Sequence, residues 1–389
     1  MEFIAPRMRI VILAGEIPAT TFIDSLINGI AGRGHQVMVM GTKKGTYNYD
    51  KNVISIAQPQ SYITKLLRFI KALFSLRMAE LKLLLNESKT IISFINQVVY
   101  YAPLIQFKPD KIHLQWASLV TQRELLFDLF PNKVMLSLRG AHINYTPVIN
   151  RKVAEKYQIL FPRVSRFHAV SNAIAQEAMK YGASENKIKT IYTSVDDKYL
   201  EKEIPQKAHL NELRLIAVGR FHWVKGYSIL IDALKILKVS NTKFQLKLIA
   251  GNDIPEEIIF AIHQAHLSQN IEIIGNLPHP KVIEMMGNSD MLILPSVNEG
   301  IANVVIEAMA IGTPVISSNC GGMTEVIEHG VNGLLFNNRD AQALANQIDI
   351  LSKMDSNQIF EMVQHARSKI TTMFTRERML NEFEQFYNE

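Results

Sequence analysis

The sequence predicts an α/β protein made of two Rossmann-like domains in tandem. The 389 residues exceed one ordinary domain core of roughly 100–200 residues. A strand–helix–strand pattern opens the chain, and a second series of short apolar runs and helical patterns begins after residue 212. The composition, 48% apolar and 20% charged, excludes disordered and fibrous proteins.

The first half begins with the apolar run Met8–Ala14, which is typical of a buried parallel strand. Gly15 is expected to end that strand. Apolar residues at helical spacing predict a helix over Thr20–Gly32, and Gln36–Met40 predicts the next strand. Helical patterns dominate between residues 50 and 111. Two more strands are predicted, at Lys111–Leu114 and Val134–Leu138.

The second half alternates strands and helices more clearly. The predicted strands are Leu213–Val218, Phe244–Ala250, Ile271–Ile274, Met291–Leu294, Pro314–Ser317 and Gly333–Phe336. The predicted helices are Tyr227–Lys238, Glu256–His266, Pro280–Gly287, Ala302–Ile311, Met323–Glu328 and Ala341–Leu351. A hinge is expected within the polar stretch Asp196–Glu212. Ligands of such folds bind at the carboxyl ends of the strands, so the sequence predicts a site there.

Charge is distributed unevenly along the chain. Residues 1–205 carry 27 Lys+Arg and 16 Asp+Glu (net +11), whereas residues 206–389 carry 15 and 20 (net −5). The basic half is expected to face an anionic partner. No zinc-finger spacing or arginine-rich arm favours nucleic acid, so an anionic membrane surface or an acidic glycan remains. The single cysteine, Cys320, excludes an internal disulfide and favours a cytoplasmic location.

The most informative motif follows the strand predicted to end at Leu294. A loop carries Glu299 and Gly300, and a helix is expected to begin near Ala302, with Glu307 about two turns into it. Free N–H groups at that helix N-terminus suit a phosphate, with a carboxylate on each side for hydroxyl groups. Alternatively, Glu299 only complements the helix dipole and Glu307 is solvated.

Two neighbouring segments strengthen the functional interpretation. The loop Val218–Gly226 lies between a strand and a helix and carries Arg220 and Lys225, two cations that suit a diphosphate. The segment Gly321–Glu325 begins another helix after a strand. The alternative for the loop Val218–Gly226 is an ordinary solvated turn.

In their order and spacing these segments resemble glycosyltransferase family 4, retaining enzymes of the GT-B fold. The family's two Glu residues separated by seven positions, followed by Gly and Pro-Val, appear as Glu299 through Val315. Later family elements appear as Gly321–Glu325 and Asn332–Leu334. The likeness is dense over 213–336 and looser in the first half, where Glu16–Ile23 is similar to the first loop of bacterial polysaccharide-building members.

The resemblance implies a fold and a domain plan. Two Rossmann-like domains would face each other with parallel sheets across a cleft. Residues 1–203 would form an acceptor-binding domain and residues 204–371 a nucleotide-sugar-binding domain. Residues 372–389 would form a helix that crosses back to the first domain.

The resemblance also implies roles for individual residues. Glu307 would bind the ribose hydroxyls of the donor and Glu299 the hydroxyls of the transferred sugar, while Arg220 and Lys225 would neutralise the diphosphate. Residues implied to line the donor site are Gly15, Glu16, Gly219, Asn276, Leu277, Gly300, Ile301, Ala302, Asn303 and Val304.

One stretch departs from the family pattern. Family members commonly place a His after an apolar strand of the first domain, and here Arg139 occupies that position. Arg139 can support the diphosphate or a sugar hydroxyl but cannot act as a base. His142 follows, where relatives often have Asp, and can hydrogen-bond the donor sugar; the alternative is a loop His with no catalytic role.

The function implied is a retaining glycosyltransferase that moves a sugar from a UDP- or GDP-sugar to a glycan or lipid-linked acceptor. No Asp-x-Asp tripeptide is present, so no metal or other cofactor is expected. A nucleotide-sugar 2-epimerase and a degenerate, non-catalytic partner protein are the alternatives.

The stretch Tyr62–Lys89 alternates large apolar residues with Lys and Arg. It predicts one basic amphipathic helix that docks on anionic lipid at the inner face of the cell membrane. The alternative is a surface helix with a solvated basic face.

Overall fold

A computed structural model describes residues 7–201, 203–204, 212–251 and 253–389. The chain folds into two compact units. The first unit holds the residues up to Val170, together with Ile174–Ile191 and Leu380–Glu389. The second unit holds Ser171–Ala173 and Tyr192–Met379.

The boundaries of the two units differ from the domain boundaries expected from the sequence. The chain enters the second unit after Ile191, earlier than the expected boundary between residues 203 and 204. The final crossing lies between Met379 and Leu380 rather than at residues 371 and 372. The expected hinge at Asp196–Glu212 lies partly outside the described residues.

The first unit is built on a seven-stranded parallel sheet in the order β3-β2-β1-β4-β5-β6-β7. Its strands are β1 (Arg9–Ile17), β2 (Gln36–Lys43), β3 (Val53–Ala57), β4 (Lys111–Leu114), β5 (Val134–Leu138), β6 (Arg166–Ala169) and β7 (Ile188–Thr190). The helices up to residue 179 are α1 (Thr21–Gly32), α2 (Tyr62–Leu73), α3 (Met78–Asn86), α4 (Ile91–Phe107), α5 (Ser118–Gln122), α6 (Leu126–Leu129), α7 (Ala141–Asn144), α8 (Thr146–Ile149), α9 (Arg151–Leu160) and α10 (Asn172–Met179).

Two sequence-based expectations for the first unit are wrong. Gly15 does not end β1, because the strand continues to Ile17 with a shift of register between Leu13 and Gly15. The stretch Tyr62–Lys89 is not one helix but two, α2 and α3. The chain starts α3 anew because the Glu80 carboxylate accepts the backbone N–H of Arg77 at 2.8 Å.

The second unit is built on a six-stranded parallel sheet in the order β10-β9-β8-β11-β12-β13. Its strands are β8 (Leu213–Val218), β9 (Phe244–Ile249), β10 (Ile271–Ile274), β11 (Met291–Leu294), β12 (Val315–Ser318) and β13 (Leu334–Phe336). The remaining helices are α11 (Tyr227–Val239), α12 (Glu256–Gln264), α13 (His279–Gly287), α14 (Asn303–Ile311), α15 (Met323–Val326), α16 (Ala341–Lys353), α17 (Ser356–Met373) and α18 (Arg376–Asn388).

The strand order explains where a ligand would bind in each unit. In each sheet the first strand lies in the interior, and the next two strands are added on one side of it. The later strands are added on the other side. The order therefore reverses between β1 and β4 in the first unit and between β8 and β11 in the second. The loops that follow these strands diverge and leave a crevice at the carboxyl ends of the strands.

The described helices include none that is both long enough and apolar enough to span a lipid bilayer.

Candidate functional site

Three loops of the second unit meet at the carboxyl ends of β8, β11 and β12. We call them together the second-unit edge, which comprises residues 219–226, 295–304 and 320–322. The backbone N–H of Val297 donates to the carbonyl of Val224 at 2.6 Å and thereby joins the first two loops. The N–H of Gly322 donates to the carbonyl of Glu299 at 3.2 Å and joins the second loop to the third.

Glycines make this close meeting of loops possible. Gly226 has a φ of +65°, and a Cβ atom there would lie 2.0 Å from the carbonyl oxygen of Pro295. Gly321 has a φ of +50°, and its Cβ would lie 1.9 Å from the carbonyl oxygen of Glu299. No real side chain tolerates such distances, so both positions require glycine.

Lys225 and Glu299 form an ion pair at the second-unit edge. The Lys225 ammonium donates to Oε1 of Glu299 at 2.6 Å, and the Ser296 hydroxyl donates to the same oxygen at 2.8 Å. The side chains of Lys225 and Glu299 are 23% and 15% exposed. The family resemblance implies a separate ligand for each of these two residues, whereas the structure holds them against each other.

Arg220, the second predicted cation of this edge, is exposed, and within the described residues it forms no ion pair. Gly219 precedes it and accepts a hydrogen bond from the Tyr227 hydroxyl at 2.9 Å, which fixes the loop to α11. The structure thus ties Lys225 into the site and leaves Arg220 at the surface.

Glu307 contacts His279, a histidine that is absent from the residues predicted from the sequence. Nε2 of His279 lies 3.0 Å from Oε1 of Glu307, and the Glu307 side chain is 19% exposed. The hydrogen bond with Glu307 raises the pKa of His279, and partial burial opposes the shift. Because α14 begins at Asn303, Glu307 lies little more than one turn into the helix, not two.

The signal for His279 was its position in the sequence. It is the first residue of α13, directly after the loop Gly275–Pro278, which carries Asn276 and Leu277 of the implied donor site. In that loop Asn276 is exposed and Leu277 is partly buried. The contact between His279 and Glu307 therefore brings the start of α13 to α14.

No side chain of the described residues caps the N-terminus of α14. Ala302 precedes the helix and is buried, as is Gly300, while Ile301 and Val304 are partly buried and Asn303 is exposed. The first N–H groups of α14 carry the positive end of the helix dipole, which favours an anion.

Glu325, the last residue of the predicted segment Gly321–Glu325, accepts three hydrogen bonds within the second unit. It accepts the backbone N–H groups of Asn172 and Ala173, both at 3.0 Å, and the Tyr192 hydroxyl at 3.0 Å. The helix α15 that follows Gly322 is a single turn. This carboxylate is therefore engaged with its own unit.

The other predicted site residues belong to the first unit. Gly15 has a φ of +89°, and Glu16 is exposed and lies 3.6 Å from the Lys44 ammonium. The Arg139 guanidinium donates to Oε1 of Gln115 at 3.1 Å. Partial burial lowers the pKa of His142, whose ring stands edge-on to that of Trp116 at 5.9 Å.

Trp116 also belongs to this region, although it is absent from the residues predicted from the sequence. Its indole N–H donates to the carbonyl of Ala14 at 2.9 Å, and its ring lies 6.3 Å from that of Phe22. The side chain is only partly buried. Trp116 therefore lies at the carboxyl ends of β1 and β4 rather than in the core.

Two family models match the chain in succession. The model described as "Glycosyltransferase Family 4" matches residues 19–199, and "Glycosyl transferases group 1" matches residues 201–369. WcaL of Escherichia coli K12, provisionally named as a colanic acid biosynthesis glycosyltransferase, is 30% identical over 63% of this chain and 61% of its own length. The amylovoran biosynthesis glycosyltransferase AmsK of Erwinia amylovora is 26% identical over 68% of this chain and 66% of its own. The matched region thus spans less than two thirds of the length of either relative.

Solved structures show the same fold. Sucrose-phosphate synthase from Thermosynechococcus elongatus superimposes with a TM-score of 0.77 at 18% identity and covers 98% of both chains. HepE of Anabaena, in complex with UDP and glucose, gives a TM-score of 0.73 at 18% identity and covers 98% of this chain and 100% of its own. The family models and the two parallel sheets agree, and the chain belongs to glycosyltransferase family 4, with the GT-B fold.

Proposed function

We propose that the protein is a retaining glycosyltransferase of polysaccharide biosynthesis, which moves a sugar from a nucleoside diphosphate to a glycan or a lipid-linked acceptor. The observation that carries the proposal is the pair Lys225–Glu299 at the switch point of the second sheet, next to the start of α14. The names of WcaL and AmsK and the UDP complexes of HepE support it.

The reaction develops charge where the second-unit edge can compensate it. Breaking the anomeric C–O bond places positive charge on the sugar and negative charge on the departing diphosphate. Lys225, Arg220 and the N–H groups at the start of α14 supply fixed positive charge for that diphosphate.

The pairing of Lys225 with Glu299 suits an exchange of partners. When a donor binds, its diphosphate can share the Lys225 ammonium, and sugar hydroxyls can donate to the Glu299 oxygens. Glu299 then also lies near the positive charge that develops on the sugar. Ser296 keeps its hydrogen bond to the carboxylate and holds it in place.

Glu307 is assigned to the ribose hydroxyls. Its carboxylate lies within the first turns of α14 and contacts His279, which follows the loop that carries Asn276 and Leu277 of the implied donor site. Loss of Glu307 should therefore weaken donor binding, whereas loss of Glu299 should mainly lower turnover.

Retention follows if the acceptor attacks the face from which the diphosphate leaves. The acceptor oxygen forms a bond to the anomeric carbon, the bond to the phosphate oxygen breaks, and that phosphate oxygen takes the acceptor's proton. Proton NMR of fresh product tests this, since the anomeric configuration must equal that of the donor. An inverted product would contradict it.

The same arrangement motivates metal independence, because Lys225 and Arg220 are assigned the charge neutralisation that a metal would otherwise provide. We expect turnover to remain within about twofold of the untreated rate when a chelator is added. A strict requirement for Mg²⁺ or Mn²⁺ would contradict this mechanism.

One assay separates the proposed activity from its alternatives. Release of free nucleotide is measured for a panel of UDP- and GDP-sugars, with and without glycan acceptors, and products are identified by mass spectrometry. A transferase releases nucleotide with formation of a larger glycan. An epimerase converts the donor without any acceptor, and a non-catalytic protein does neither.

We also propose that the first unit docks reversibly on anionic membranes. The helices α2 and α3 expose large apolar side chains in one part of the chain. Tyr62 and Phe74 are 91% and 89% exposed, and Leu66 and Leu67 are 54% and 62% exposed. An apolar cluster of this kind on the surface marks an interaction site.

The charges nearby favour a lipid surface over a protein partner. Lys65, Lys71, Lys82 and Lys89 lie on or beside α2 and α3, and among the described residues none of them forms an ion pair. Each lysine near an anionic bilayer contributes about 1 kcal/mol, so several of them give weak, salt-sensitive binding.

Co-sedimentation with phosphatidylglycerol vesicles tests the docking. Leu66→Glu with Leu67→Glu should leave the protein in the supernatant. Ile259→Glu with Phe260→Glu is the matched control, because these residues are 53% and 64% exposed on α12 of the second unit. The proposal is wrong if the parent chain stays in the supernatant at low salt, or if the control pair lowers binding equally.

A further inference from the structure

A chain of hydrogen bonds runs through the interior of the first unit. Nε2 of His168 lies 2.9 Å from the carbonyl oxygen of Ile191, and its Nδ1 lies 2.7 Å from the Ser137 hydroxyl. The Ser137 hydroxyl lies 2.8 Å from Nε2 of His113, and Nδ1 of His113 lies 2.7 Å from the Tyr387 hydroxyl. His113, His168 and Ser137 are buried, as is Tyr387 of the C-terminal helix.

The carbonyl at one end fixes the direction of every bond in this chain. Burial lowers the pKa of His113 to about 3 and that of His168 well below its usual value, so both rings are neutral. Because a carbonyl only accepts, Nε2 of His168 carries the proton and its Nδ1 accepts from Ser137. Ser137 then accepts from Nε2 of His113, and Nδ1 of His113 must accept from its own neighbours.

One of these neighbours is Gln115. Its Nε2 lies 3.2 Å from Nδ1 of His113, and only the amide nitrogen can donate there. The amide oxygen of Gln115 must consequently face the other way, and it accepts from Nη2 of Arg139 at 3.1 Å. The buried hydrogen-bond network thus orients the amide oxygen of Gln115 towards the guanidinium of Arg139.

Arg139 is a cation with few partners. Its guanidinium lies over the ring of Phe22 at 4.4 Å, and its buried Nε finds no hydrogen-bond partner in the described part of the chain. Among the described residues the bond to Gln115 is its only hydrogen bond, and no carboxylate pairs with it. Burial lowers the pKa of Arg139 to about 9, so it is still charged at neutral pH. Four of its five N–H donors are left for a ligand, and two in a fork suit an oxyanion.

The location of Arg139 fits a ligand site. Arg139 follows the last residue of β5 and Gln115 follows the last residue of β4, so both lie at the carboxyl ends of the strands next to the switch point of the first sheet. The partly buried rings of Trp116 and His142 lie in the same region and offer apolar surface for a sugar ring.

We propose that Arg139 binds an oxyanion, a carboxylate or a phosphate carried by the acceptor, and that Gln115 is the positioning residue that holds the guanidinium for it. The assignment to the acceptor rests on the proposed function, whereas the oxyanion site itself does not. Tyr387 links this position to the C-terminal helix through His113.

Tryptophan fluorescence measures the binding without turnover. The chain has two tryptophans, and Trp223→Phe leaves Trp116 as the only reporter. At constant ionic strength, sodium glucuronate and glycerol phosphate are titrated, with glucose and glycerol as neutral controls. We expect a saturable change in Trp116 emission with at least one anion and with neither neutral compound. The anion that binds identifies the source of the oxyanion.

Two variants test the residues named. Arg139→Gln should weaken the anion's affinity by about tenfold to a hundredfold. Gln115→Glu should abolish the response as well, because a carboxylate at 3.1 Å would occupy the guanidinium. Arg123→Gln is the matched control, since Arg123 also lies over an aromatic ring in this unit, that of Tyr100 at 3.8 Å.

Several outcomes overturn the proposal. These are no response from the parent chain, an equal response in Arg139→Gln, or equal losses in Arg139→Gln and Arg123→Gln. Circular dichroism confirms that each variant is folded before it is compared. Because no turnover is measured, failure here leaves the proposed sugar transfer to be judged by nucleotide release alone.

Discussion

The carboxyl edges of the two sheets hold positive charge in different ways. In the second unit, Lys225 is paired with Glu299 at 2.6 Å. In the first unit, the one hydrogen bond of Arg139 to a described residue is with the amide oxygen of Gln115, at 3.1 Å. The strand order reverses next to both sites, so topology does not separate them. Lys225 can exchange the Glu299 carboxylate for a diphosphate. The charge of Arg139, in contrast, is neutralised when an anionic ligand binds.

The edges also differ in how tightly their backbones approach. At Gly226 a Cβ atom would lie 2.0 Å from the Pro295 carbonyl oxygen, whereas at Gly15 the nearest atom, in Trp116, would be 3.7 Å away. The second-unit edge therefore has its loops locked together by backbone contacts. At the first-unit edge, the group that Gly15 faces is a side chain, that of Trp116.

The largest expected effect is on turnover, when the paired carboxylate of the second unit is removed. Glu299→Ala should lower kcat on the order of a hundredfold to a thousandfold, because the group assigned to the sugar in the transition state is lost. Steady-state kinetics with a saturating donor measure it. Glu284→Ala, an exposed carboxylate on α13 that pairs with Lys281, is the control. A Glu299→Ala enzyme at the parent rate would remove the distinction between the edges.

The next effect concerns stability. Gly226→Ala should destabilise the second unit by about 2–4 kcal/mol, since a methyl group would overlap the Pro295 carbonyl and the residue has a positive φ. Gly15→Ala should cost about 1–2 kcal/mol, from its φ alone. Urea unfolding followed at Trp223 or Trp116, in chains that keep only that tryptophan, reports each unit separately. Equal losses would show that the edges are packed alike.

The smallest effect is a pH dependence confined to the second unit. The pKa of His279 is raised by its bond to Glu307, so the ion pair between them is present below the usual pKa near 6.5 and is lost as pH rises through the raised value. Since His279 is about half exposed, solvent weakens the effect. Glu307 becomes free for ribose as the contact is lost, and affinity for UDP should rise a few-fold between about pH 6 and pH 8. His279→Ala should show no such rise; a rise that persists would assign the titration to another group.

The two units also differ in how far the sequence predicted them. All six strands of the second sheet were predicted to within one residue at either end, because each is a short apolar run between turn residues. In the first sheet β3, β6 and β7 were missed. They are short, and β6, Arg166–Ala169, contains Arg and His, so no apolar pattern marks it.

The same limit applies to the candidate site. Spacing predicted Glu299, Lys225 and Glu307 because loop residues between a strand and a helix lie at the same edge of a sheet. Spacing did not predict that Lys225 pairs with Glu299, nor that His279 reaches Glu307. Such contacts join residues far apart in the sequence, and only the folded backbone brings them together.

Calorimetric titration with UDP tests most directly the claim that the second-unit edge holds the donor and Arg139 does not. Lys225→Ala should weaken UDP binding by about tenfold or more, because it removes a charge-assisted contact to the diphosphate. Arg139→Gln should bind UDP with the affinity of the parent chain. Loss of UDP affinity in Arg139→Gln, with parent affinity in Lys225→Ala, would contradict the account and assign the donor diphosphate to the first unit.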